Sequence, residues 1–321
     1  MLHRFAKLVA GCTVLLVLAG SLVTSTGSGL SVPDWPTSYG WNILTFPPSK
    51  WVGGIFYEHG HRLIATTVGF LMIGLAAWLW VSEPRRWLKW LGVGALGAVI
   101  AQGVLGGLTV LFFLPAAIST AHAGLAEIFF GIVVSIALFT SPGWIEGYGP
   151  PVDRPIQRMA ATTTLLIYTQ ILLGATMRHT QAGLAIPDFP LMLGHVIPPY
   201  WNPKIAIHFA HRVGALVVVL AVLSTAGLVW SRAHYRGDLV RPALWLVGLI
   251  AVQATLGAVN VLSGLNVWLN SLHVVVGALV LTTSLVLTLR TWRSRFADDD
   301  GLAGVRAPLE PKPQLTGRVH A

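Results

Sequence analysis

Two short stretches combine residue types that an apolar chain rarely tolerates. Tyr57-Glu58-His59-Gly60-His61-Arg62 lies at the mouth of a long apolar run, and Ile207-His208-Phe209-Ala210-His211-Arg212 repeats it in altered form 150 positions later. Ionisable side chains are costly inside a bilayer, and where they occur they face a bundle interior and serve an ion, a proton or a cofactor. Two further histidines, His122 and His273, stand at the starts of later apolar runs. The imidazoles thus fall into two pairs, His61 with His122 and His211 with His273, and two imidazoles on opposite helices can ligate a haem iron from both faces. Each histidine taken singly would also serve as a hydrogen-bonding group between helices; duplication, common depth and common spacing together favour ligation. Zinc fits less well, because a structural site wants about four converging N or S ligands.

Glu58 precedes His61 by one helical turn, so on a helix the two share a face. The matching position in the second stretch is His208. A general base or charge stabiliser therefore accompanies one pair only, which makes the first half catalytic in character and the second electron-carrying. Arg62 and Arg212, each next to a ligand candidate, read as forked donors to haem propionates or as interfacial anchors. His59 points to another face. His3, His179, His195, His234 and His320 read as solvated, and Gln102 and Gln253, at matching positions, as interhelical glue.

These residues need helices to hold them, and composition says which kind. Hydrophobic residues make up 54% of the 321 and charged residues 10%, against roughly 25% charged in a soluble domain. A membrane-spanning helix needs about 20 apolar residues, and eight such runs occur, near 8–26, 63–81, 91–112, 120–140, 159–177, 209–230, 242–262 and 270–289. The expected fold is all-α and integral to the membrane. With one cysteine, Cys12, the chain builds neither an internal disulfide nor a Cys-based metal site. Gly92-Val93-Gly94-Ala95-Leu96-Gly97 fits a dinucleotide fingerprint but lies inside a span, where small residues let helices approach, as Gly103 and Gly107 also would.

The chain is internally repeated. Gly20 to Pro36 reappears from Gly174 to Pro190 at an offset of 154, and Gln102, Gly106 and His122 return as Gln253, Gly257 and His273 at 151. Eight spans therefore form two tandem four-helix bundles, related by a pseudo-twofold axis along the membrane normal. The halves are placed at residues 1–147 and 148–296, with 297–321 a disordered cytoplasmic tail. The repeat also argues that the first apolar run is a retained span and not a cleaved signal.

Net charge is +9, and its distribution points to membrane orientation, not to nucleic acid. With the N-terminus inside, 16 of the 21 Lys and Arg fall on the cytoplasmic side and five outside: Lys50, Arg62, Arg178, Lys204 and Arg212. Both ends are then cytoplasmic and all four paired histidines lie toward the outer face.

Thr26-Gly27-Ser28-Gly29-Leu30 with Pro33-Asp34-Trp35-Pro36, Glu58-x-x-His61-Arg62, His122, Gly183-Leu184-x-x-Pro187-Asp188-Phe189-Pro190, His211-Arg212 and His273 together resemble the motifs, in order, of the haem A synthase family, membrane enzymes tied to cytochrome oxidase assembly. The resemblance covers nearly the whole membrane part. It implies oxidation of a methyl group of haem O to a formyl group, giving haem A through hydroxylated intermediates. It implies that His61 and His122 face the substrate iron in the first half, that Glu58 is the catalytic carboxylate, and that His211 and His273 ligate a haem b that passes electrons. It also implies a haem O synthase as the source of substrate, while the electron donor, a quinol among the candidates, and association into a homo-oligomer stay open. Many members carry a cysteine pair in an outer loop; here those places hold Val32 and Ser38, and Ile186 and Met192.

Two rival expectations remain. A dihaem cytochrome b devoted to electron transfer would have two equivalent haems and no use for Glu58, and a proton or metal-ion transporter would use the same residues as a relay. The charge asymmetry generates a direct test of orientation: a reporter active only in the cytoplasm is expected to be silent when fused after His61 or Arg178 and active at the C-terminus, and the opposite pattern overturns the topology.

Overall fold

In hydrocarbon every backbone polar group must be satisfied within its own segment, which leaves an apolar chain of this kind the α-helix. The computed structural model describes residues 1–147 and 151–296; the tail expected at 297–321 lies outside the described residues. The helices are α1 (Leu2–Ser25), α2 (Gly54–Ser82), α3 (Arg86–Leu111), α4 (Ala116–Phe139), the short α5 (Pro142–Glu146), α6 (Arg154–His179), α7 (Pro203–Ala233), α8 (Gly237–Leu262), α9 (Val267–Thr291) and the short α10 (Arg293–Phe296). Eight of them are long and apolar enough to cross a membrane, and among the described residues the only strand-like features are two isolated bridges. The protein is thus a multi-pass, all-α membrane protein.

Several helices begin earlier than their apolar runs. α2 starts at Gly54 and α7 at Pro203, where the runs start near 63 and 209, because the outer turns carry Glu, His and Arg that hydropathy discounts. Hence Glu58, His59, His61 and Arg62 are helical residues of α2, not residues at its mouth.

In the first half α1 packs on α2, α2 on α3, α3 on α4 and α4 back on α1; α6, α7, α8 and α9 close a second ring in the same order. α2 and α4 are therefore diagonal in one ring, as α7 and α9 are in the other. The halves meet through α1 against α9, α4 against α6 and α4 against α9. α4 is consequently the most enclosed span, 61% buried, while no other exceeds 39%. Glycines set close approaches here: Gly92 of α3 faces Leu79 of α2, Gly124 of α4 faces Leu172 of α6, and Gly131 of α4 faces Leu285 of α9. Gly107 serves differently from expectation, for it receives the Trp35 indole of the first outer loop and not a neighbouring helix. Phe70, Trp80, Leu220 and Trp245 are exposed on the rim, as lipid-facing side chains are.

The outer loops, residues 26–53 and 180–202, fold on matching cores. Asp34 accepts the amides of Tyr39 and Gly40 at 2.7 and 2.9 Å, and Asp188 accepts those of Leu193 and Gly194 at 2.7 and 2.8 Å. Gly40 and Gly194, at φ 75° and 78°, take the left-handed conformation that aims each amide at its carboxylate. A single bridge closes each turn, Ser38 with Trp41 and Met192 with His195.

The amides of Gly194 and Leu193 hold the Asp188 carboxyl below its ordinary value of 3.8. A depressed folded value means that the carboxylate stabilises the loop above the ordinary value and that this is lost as pH falls through the lower, folded one. Limited proteolysis of residues 183–202 is thus expected to be slow above about pH 4 and to accelerate below it, whereas Asp188→Ala cleaves readily at both.

Candidate functional site

The outer end of α2 is tied to the first loop by an ion pair. Glu58 Oε2 accepts the Val32 amide at 2.8 Å and Oε1 accepts Arg62 Nη2 at 2.8 Å. Arg62 also donates to the carbonyls of Val32 (2.8 Å), Asp34 and Thr37 (2.7 Å each). Both side chains are buried, 9% and 5% exposed. In the second half Arg212 donates to the carbonyls of Ile186, Asp188 and Leu191 at 2.9, 2.6 and 2.9 Å and approaches His208 Nε2 at 3.2 Å. Ile186 N lies 3.3 Å from His208 Nδ1. A carboxylate satisfies both donors at once, whereas a neutral imidazole accepts at one nitrogen only.

These bonds change the assignment of the two arginines. Each guanidinium has five N–H donors and commits four of them to its own loop and its i−4 neighbour. Each therefore clamps a cap onto its helix, with one N–H left over.

The four paired histidines stand against backbone. A Cβ at Gly20 would lie 2.9 Å from His61 Cε1, and one at Gly174 2.8 Å from His211 Cε1. Likewise Gly106 and Gly257 would meet His122 and His273 at 3.3 and 3.2 Å. So α1, α6, α3 and α8 each offer a glycine against which an imidazole brings its Cε1 corner. His61 is within electrostatic reach of His122, and His211 of His273. Nδ1 of His61, His122 and His273 is buried without a partner. Two imidazoles on diagonal helices, with unsatisfied ring nitrogens, suit a planar metal-centred group ligated from both faces.

The neighbours of the histidines differ between halves. Gln170 Nε2 lies 3.0 Å from His211 Nδ1 and donates to His211 O at 2.8 Å, space that Gly214 provides, since a Cβ there would meet Gln170 Oε1 at 2.2 Å. The corresponding first-half residues are Leu16 and Ile64. Gln102 donates to His122 O at 2.9 Å and Gln253 Nε2 approaches His273 Nε2 at 3.4 Å, both between adjacent helices. His59 is buried under the first loop, with Ser38 Oγ at 3.0 Å and the Phe46 and Trp51 rings beside it. His179, expected to be solvated, ends α6 half-buried, within reach of His122. Sequence reasoning overlooked Gln170, and also Glu127, a buried carboxyl in α4 whose Oε2 has no partner; a lone acid inside an apolar run was the available signal.

Fold and site together define a membrane protein with a histidine pair on diagonal helices in each of two four-helix rings, and with a carboxylate, Glu58, one helical turn before His61 on α2. A family model described as cytochrome oxidase assembly protein matches residues 3–285. A protein of Halalkalibacterium halodurans named heme A synthase is 32% identical over 294 residues, covering 88% of this chain and 95% of the relative. Its namesakes from Symbiobacterium thermophilum and Geobacillus kaustophilus are 34% and 27% identical, over 81% and 97% of this chain and 85% and 99% of their own lengths. The chain belongs to the cytochrome oxidase assembly protein family.

Arg62→Leu leaves Glu58 buried with a single donor and frees three loop carbonyls. Removing one member of a buried pair costs about 3–5 kcal/mol, so a fall of that order in unfolding free energy in detergent is expected, and an unchanged melting profile refutes the clamp.

Proposed function

We propose that this protein is a haem A synthase that oxidises a methyl group of haem O to a formyl group. The reading is supported by relatives of that name along nearly the whole chain, and the observation that carries it is a difference between two sites built on the same histidine pattern: Glu58 stands where the other half has His208. His61 and His122 would receive the substrate iron in the half spanning 1–147. His211 and His273 would hold haem b in the half spanning 148–296, and that haem would supply one-electron redox chemistry.

As a half-reaction the change is R–CH3 + H2O → R–CHO + 4 H+ + 4 e−, so the first half needs a proton acceptor and an outlet for electrons. Each Glu58 oxygen accepts one donor in the fold and keeps further lone-pair capacity for a proton. Arg62 and Val32 fix where those oxygens sit, which is the positioning a general base requires. The loop above, with Val32 wholly buried, keeps water from the carboxylate. A dihaem electron carrier would use this carboxylate only as the partner of Arg62 and the Val32 amide.

The charge bias supports a cell-membrane protein with both termini cytoplasmic and both sites toward the outer face. Haem O synthase would supply the substrate; with dioxygen as the oxidant that takes up the electrons and a membrane quinol as donor, the balance is R–CH3 + 2 O2 + 2 QH2 → R–CHO + 2 Q + 3 H2O.

Glu58→Gln keeps the shape and removes the charge. Haem A formation is expected to fall about 10²- to 10⁴-fold with haem O binding and haem b retained, while His211→Ala or His273→Ala strips haem b. Parental rates in Glu58→Gln, or unchanged pigment in both histidine variants, would return the electron-transfer cytochrome as the better account.

A further inference from the structure

A porphyrin carboxylate near hydrocarbon is stabilised by a cation beside it, and the arginines adjacent to the histidines each give four of five donors to their loop and i−4 neighbour. Lys50 and Lys204 lie exposed on the outer segments. That leaves Arg178, one residue from the end of α6 at the junction between the halves. Its guanidinium donates to Ser21 Oγ (3.1 Å), Ser21 O (2.8 Å) and Ser25 Oγ (2.7 Å) of α1. Ser25 Oγ in turn contacts Ser271 Oγ of α9 at 3.1 Å, two residues before His273. Among the described residues no carboxylate comes within ion-pair distance of Arg178.

Its partners are neutral oxygens, and three bonds leave two of five N–H donors without a protein acceptor. The last-turn carbonyls of α1 supply only the partial negative charge of a helix end. A half-buried guanidinium so placed lacks a full counter-charge, which is costly unless a ligand brings one. His273 lies within its electrostatic reach. The first half has no equivalent cation, for the position 154 residues earlier is Thr24.

We propose that Arg178 binds a carboxylate of the porphyrin held by His211 and His273, serving as the anion-recognising residue of the second half. This rests on the haem assignment given under the proposed function. The arrangement makes Arg178 a joint between the halves as well: one guanidinium, carried by α6 and seated on α1, faces a group ligated from α7 and α9.

The test uses the full-length chain with His61→Ala, so that only the second pair ligates from both faces, emptied of pigment and titrated with protohaem or with protohaem dimethyl ester, whose carboxylates are blocked. Bis-imidazole absorption reports uptake. A hydrogen bond to a charged group contributes about 1.5–3 kcal/mol, so the parent is expected to favour the free acid over the ester by about 10- to 100-fold. Arg178→Leu should lose that preference while binding the ester as the parent does, and Arg178→Lys should keep part of it. If Arg178→Leu retains the full preference, or weakens acid and ester equally, the arginine is structural glue and the proposal fails with the haem assignment intact. If the parent takes up neither pigment, the haem assignment itself fails and this inference falls with it.

Discussion

The outer architecture depends on one interaction, a guanidinium gathering loop carbonyls at the helix rim. Arg62 and Arg212 each collect three carbonyls from a chain segment that has no helix of its own to satisfy them. Near hydrocarbon an unpaired carbonyl is expensive, so a cap over the bilayer must bring its acceptors to a strong donor. Arginine supplies several donors in one plane. Because each sits one residue after a paired histidine, fixing the cap and fixing the imidazole are the same act.

The device occurs twice, at Arg62 and at Arg212, and a few residue differences separate the two occurrences. Glu58 and His208 occupy the same place under the loop, yet only the carboxylate accepts both of its donors. Leu16 with Ile64 became Gln170 with Gly214, a pair in which the glycine exists to admit the amide. Thr24 stands where the second copy has Arg178. Apart from the glutamate, these changes place Gln170 beside His211 and Arg178 within reach of His273, where the first half has Leu16 and Thr24.

Much of this was legible in the sequence for plain physical reasons. Spans of about 20 apolar residues are dictated by bilayer thickness, and repeat spacing preserves helix register, so eight helices and four paired histidines could be read directly. Helix starts could not, since the outer turns of α2 and α7 are polar and stay helical under a covering loop. Three of the four partners of Arg62 and of Arg212 are backbone oxygens, which carry no residue identity, so the clamp could not be read from the sequence. Gln170 and Glu127 escaped notice because their counterparts, Leu16 and Ala278, broke the repeat that made other residues visible.

The caps are closed without sulfur. Where many relatives of this type carry cysteines, Val32, Ile186 and Ser38 are wholly buried, and Ser38 leans on His59 beneath an aromatic lid. A covering held by packing and hydrogen bonds needs no thiol–disulfide exchange to form. Assembly of this protein is accordingly independent of oxidative folding catalysts, and its covers keep their shape whether the surrounding medium is oxidising or reducing.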